Sequence, residues 1–122
     1  MKYMLLIHNQ PGYVERLSEA DRDALMGEVD AIMKELTESG ELLRGEALAD
    51  PARTRTVRVR DGVPVITDGP FLEAKEQFAG YILVDCDSLE RATEIAASWP
   101  DAKHFAMEVR EVIHQSGPEY DG

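Results

Sequence analysis

Asp68, Glu73, Lys75 and Glu76 fall within one short stretch, ITDGPFLEAKEQFAGYILVD at 66–85. Carboxylates beside a lysine are the side-chain set for cofactor-independent acid–base chemistry, such as elimination or isomerisation of a small polar or aromatic compound. A carboxylate that loses water at the mouth of a cavity has its pKa raised toward the range of a general base. A neighbouring ammonium can hold an enolate-like oxygen. In that scheme Asp68 or Glu76 is the base, Lys75 is the electrostatic partner and Glu73 faces the substrate. His8, at the end of the first apolar run, is a candidate proton shuttle. Tyr81 and Arg58 are candidates to line a pocket. Each residue also has a plainer reading. Asp-Gly-Pro forms turns, because the carboxylate bonds nearby backbone N–H groups. Glu73, Lys75 and Glu76 read equally as a solvated loop, and His8 as a surface residue. Tyr81 reads as a core or interface residue whose hydroxyl reaches a polar partner, and Arg58 as a hairpin solubiliser.

The rest of the chain removes several chemistries. His8, His104 and His114 match no metal-ligand spacing, and no Cys-His or His-Glu cluster supports a metal site. There is no nucleophile elbow, phosphate loop or dinucleotide fingerprint, so no cofactor is implied. The single Cys86 lies between Asp85 and Asp87, acids that raise a thiol pKa and make it a poor nucleophile. A net charge of −11 disfavours nucleic acid and anionic membranes as partners. The surplus acids are spread along the chain and read as solubility. No apolar run is long enough to span a membrane. The first residues, MKYMLLIHNQPG, lack the features of a secretory signal and read as a strand. A cytoplasmic location fits best.

These residues need elements to position them. The 122-residue length suits one domain over 1–115, followed by a loose tail at 116–122. Residues 2–8 read as a strand and 9–17 as a Pro-Gly loop. A helix follows, with Ser18 and Asp21 resembling a capping box. Leu25, Val29, Ile32, Met33 and Leu36 form one helical stripe, which stops at Gly40. ELLRGEAL is a second strand. TRTVRVRDGVPVIT is a hairpin about Asp61-Gly62, the dipeptide a two-residue turn prefers. That turn predicts Arg55 opposite Asp68, Val57 opposite Ile66, Val59 opposite Pro64 and Arg58 opposite Val65. QFAGYILVDCD is a strong strand, Asp87 and Ser88 are candidate caps, and LERATEIAASW is a helix with Ala92, Ile95, Ala96 and Trp99 inward. Pro100 ends that helix, and HFAMEVREVIH is the last strand.

The order β-α-β, hairpin, β-α-β is the split ferredoxin-like α+β pattern. Two helices cover one face of its antiparallel sheet. In the first strand Met4 and Leu6 point one way and Tyr3, Leu5 and Ile7 the other, and in the fifth Ile82 and Val84 oppose Tyr81 and Leu83. Strands apolar on both faces need both faces buried. A homodimer with sheets face to face, a dimeric α+β barrel, supplies the second layer.

The stretch around Asp68-Gly69-Pro70-Phe71, together with KYMLLI, GELLRGEAL, TVRVRDG and MEVREV, resembles the DGPF branch of the YCII-related family across residues 2 to about 113. The resemblance implies the dimeric α+β barrel. It also implies relatives among small-molecule enzymes, including a dehydrochlorinase of a chlorinated hydroquinone, and gene neighbourhoods with sigma factors that hint at regulation. The resemblance further implies a histidine on the first helix paired with an aspartate, and a tyrosine where His8 stands. The helix from Ala20 to Ser39 has no histidine, so that dyad does not carry over. Two functions follow as expectations: a small-molecule-binding barrel with acid–base activity, and a non-catalytic dimeric module in sigma-factor or stress regulation. DNA binding is a third, disfavoured by charge.

Overall fold

The computed structural model describes residues 1–120. Its elements in order are β1 (Lys2–Asn9), α1 (Glu19–Glu38), β2 (Leu42–Ala47), β3 (Arg55–Arg60), β4 (Val63–Asp68), β5 (Gln77–Asp85), α2 (Leu89–Ser98), α3 (Pro100–His104) and β6 (Ala106–Glu111). An antiparallel sheet has the order β2-β5-β1-β6, and β3-β4 form a separate two-stranded ribbon. This is the mixed α+β, antiparallel architecture expected from the sequence. No helix among the described residues is long and apolar enough to cross a membrane.

Local chemistry sets the helix ends. Ser18 Oγ accepts from the Asp21 amide at 3.1 Å, satisfying a first-turn donor of α1. At the other end, Gly40 N–H reaches Thr37 O and Glu41 N–H reaches Leu36 O, the paired bonds of a Schellman stop. Ser88 caps α2 through the Arg91 amide. Pro100 does end α2, but it also opens α3, a short helix that the sequence reading lacks. Proline suits that first position because the N–H it lacks would have no helical partner there.

The core lies on one face of the four-stranded sheet. Tyr3 and Leu5 of β1, with Ile82 and Val84 of β5, meet Leu36 of α1 and Ala92, Ile95, Ala96 and Trp99 of α2 and its end. Leu5 and Val84 are fully enclosed. Burying each such side chain stabilises the fold by about 1.5–3 kcal/mol. At Gly80 a β-carbon would lie 2.5 Å from the Glu46 carbonyl, so only glycine lets β2 approach β5 there.

The opposite face carries cross-strand rows. Arg44, Leu83, Met4 and Arg110 form one row, and Glu46, Tyr81, Leu6 and Glu108 the next. Leu83 is buried, while Met4, Leu6 and Tyr81 are half-buried. Part of this cover comes from the chain's own end. Glu119 pairs with Arg44, Tyr120 lies 5.4 Å from the Lys2 ammonium, and Gln115 bonds both Lys2 and Tyr120. Of the segment expected as a loose tail, 116–120 fold back onto this face, and 121–122 lie outside the described residues.

Candidate functional site

The 68–76 loop is a scaffold device at its start. Gly69 N–H donates to Thr54 O at 2.7 Å, and Gly69 O accepts from the Thr56 hydroxyl at 2.8 Å. These bonds close the base of the hairpin. Asp68 is the register partner of Arg55, as the turn arithmetic requires, although the two charges are not within ion-pair distance. Glu73, Lys75 and Glu76 are exposed, and neither they nor Asp68 line the cavities described below. Gln77 ties the loop down by donating to Leu72 O and Ala74 O. The structure therefore does not bring Asp68, Lys75 and Glu76 together on one concave surface. The loop is a run of bends whose charged side chains face solvent beside the exposed Phe71 and Leu72.

The other candidates disperse too. Arg58 lies over the Phe71 ring, 4.8 Å from its centroid, and the two line a surface depression with residues 54–57, apart from the other candidates. The His8 and Tyr81 side chains are in the rows of the sheet face away from the helices, although Tyr81 also borders the cleft described below. His8 Nε2 is buried against Glu108 Oε1 without hydrogen-bond alignment, and its ring tilts on Phe78. The nearby Tyr81 hydroxyl, then Tyr120 and Glu119, hold the Arg44 guanidinium above its ordinary value.

A concave site does exist, on the helix side. A cleft of about 270 Å³ opens between α1 and the sheet. Leu25, Met26, Val29 and Met33 supply its helix wall, Ile7 and Ile82 its sheet wall, and Gly45 and Gly80 leave its floor bare of side chains. Trp99 and Asp101 close its end. Asp101 is 7% exposed, and Asn9 Nδ2 donates to its Oδ2 at 3.0 Å. Tyr13 stands at the rim, its ring edge-on to Phe105. Burial, followed by the charges of Asp101 and Glu28, pushes the Tyr13 phenol above its usual pKa. The cleft continues outward into a second cavity of about 240 Å³, between the 10–15 loop and the 48–51 loop.

Asn9, Tyr13 and Asp101 are the polar residues that sequence reasoning misses. The available signal was Pro100, which can start a helix as well as stop one. An α3 beginning at Pro100 carries Asp101 to the end of β1.

Elsewhere the charged groups are structural. Arg91 Nε and Nη2 each donate to Glu41 at 2.8 Å, a bidentate pair that joins α2 to the start of β2. Those bonds lower the Glu41 carboxyl to about 2 against an opposing burial effect. Cys86 is buried in the core, and burial, more than any neighbouring acid, pushes its thiol up. No group of three or more His, Cys, Asp or Glu among the described residues is placed to hold a metal ion.

The chain matches the sequence profile of the YCII-related domain over residues 1–116. It is 30% identical over 102 residues to an uncharacterized protein of Rhizobium meliloti (strain 1021), covering 84% of this chain and 82% of that one. Among solved structures it is similar to 5-chloro-2-hydroxyhydroquinone dehydrochlorinase from Burkholderia phenoliruptrix AC1100, in complex with 2,5-dihydroxybenzoquinone. That likeness has a TM-score of 0.49 and 13% identity, covering 94% of this chain and 96% of the other, and transfers no chemistry.

Proposed function

The chain belongs to the YCII-related domain family, and from that premise we propose that it binds a small molecule in the cleft between α1 and the four-stranded sheet. One observation carries this reading: a glycine-floored apolar cavity with a buried carboxylate, Asp101, on its wall. Sites for small ligands are mostly apolar, with few polar groups that fix orientation. Acid–base chemistry of the elimination or isomerisation class suits this arrangement. Asp101 is the acceptor inside the cleft, and the Tyr13 phenol, kept protonated by burial, is the donor at its rim. The scheme calls on no cofactor. A cytoplasmic setting, where a lone thiol stays reduced, belongs to the same reading.

The proposed assembly is a homodimer with sheets face to face. The alternation of an arginine row and a glutamate row on the far face supports it. A two-fold axis between the rows would set each basic row over the partner's acidic one.

A thermal-shift screen of small aromatic compounds tests the cleft. A ligand at 100 times its dissociation constant should add about 2.7 kcal/mol of stability, and Ala47→Trp, at a residue that lines both cavities, should fill the cleft and abolish the shift. If no compound in a broad library raises the melting temperature, the small-molecule reading fails. The regulatory module is the second reading. The solvent-exposed Val57, Val59 and Ile66 on one face of the hairpin favour it, because an apolar ribbon suits a protein partner.

A further inference from the structure

The charge balance of the cleft points to the class of ligand, on the reading of that cleft as a binding site. Asp101 is more than nine-tenths buried, and its one side-chain partner is the neutral Asn9 amide. Among the described residues, no lysine, arginine or histidine lies within ion-pair distance of it. A buried carboxylate is ordinarily matched by a cation, because desolvation without one is costly. The surroundings do not supply that cation. Neither the inner cleft nor its outer mouth has a basic side chain in its walls, although the chain holds 13 lysines and arginines. Glu15 and Asp50 at the mouth add negative charge. Lys103, two residues along from Asp101, is paired with Glu28 at 3.1 Å. Arg16 adjoins Glu15 of the mouth. It is folded against its own loop, donating to Pro11 O and to Gln10 Oε1 at 3.1 Å each. The wall opposite the carboxylate is aliphatic and thioether: Leu25, Met26, Val29 and Met33.

We propose that the cleft is selective for a hydrophobic amine, whose ammonium pairs with Asp101 while its apolar body lies against α1. An anionic ligand of the same shape meets a like charge and no cation. A neutral alcohol fills the walls but leaves the carboxylate uncompensated.

Trp99 is the sole tryptophan of the chain and lies at the closed end of the cleft, so its fluorescence reports occupancy. Three probes share one ring: benzylamine, benzyl alcohol and benzoate. Benzylamine should bind at least about tenfold more tightly than either of the others, the gain expected of one charge-assisted contact. In Asp101→Asn the preference for the amine should disappear while alcohol affinity holds. The order among the probes on the unaltered protein stands as a test even where that variant does not fold. Benzoate binding as tightly as benzylamine would overturn the amine assignment and leave the cleft a ligand site. An amine affinity unchanged in Asp101→Asn would do the same. No response of Trp99 to any probe at millimolar concentration would remove both.

Discussion

Glu41 and Arg91 show how one pair of side chains sets a property of the whole fold. Arg91's two hydrogen bonds lower the folded Glu41 carboxyl to about 2, from an ordinary value of 4.5. A carboxyl lowered on folding contributes stability above its unfolded pKa and loses it as pH falls toward the folded one. The contribution is therefore complete above about pH 4.5 and fades between there and about pH 2. In Glu41→Gln the acid limb of that window should flatten. Urea midpoints from pH 7 to 2 check this, and parallel curves for the two proteins would contradict it. The Asp101–Asn9 contact is of a different kind. It ties α3 to the end of β1 without neutralising the charge, and that leaves the cleft its character.

The hairpin is the element whose behaviour departs most from its surroundings. β3 and β4 pair closely with one another but pack little against the four-stranded sheet. Their base is closed by the Gly69 bonds and their tip by Asp61 and Gly62, both with positive φ, as a two-residue hairpin turn requires. Stability is local where few contacts hold an element. Amides of 55–60 and 63–68 should exchange with solvent far faster than those of β1 and β5, at a rate insensitive to global stability. Hydrogen exchange followed by mass spectrometry reads this directly, and hairpin protection equal to that of β5 would contradict it. The same ribbon shows what a sequence makes legible. Its register follows from turn chemistry alone, residue for residue, because Asp-Gly fixes the loop at two residues. The α1 stripe and its caps are legible for the same reason: they depend on neighbours three or four positions away. Asp101 is not legible in that way. Its significance depends on Asn9, 92 positions distant, and on the bare floor that Gly45 and Gly80 leave. Conversely, the charge-rich loop at 68–76 draws attention in the sequence, but the exposure of its charged side chains shows only in three dimensions.

At the scale of the molecule, the two faces of the sheet divide the labour. The helix face holds the core and the cleft. The far face holds alternating charged rows with apolar residues between them, part-covered by residues 115–120. The proposed dimer uses that far face, so Leu6→Glu, at the middle of a row, should dissociate it and leave the circular dichroism spectrum unchanged. Sedimentation velocity at low micromolar concentration checks this, and a wild-type monomer would contradict the dimer. The central claim is that the ligand site is the cleft and not the DGPF loop. Amide chemical-shift mapping by NMR during titration with benzylamine tests it most directly. The account predicts that perturbations gather at residues 7–14, 25–33, 45–47, 79–82 and 99–101, with 68–76 silent. Shifts centred on 68–76, with the cleft residues unmoved, would contradict it.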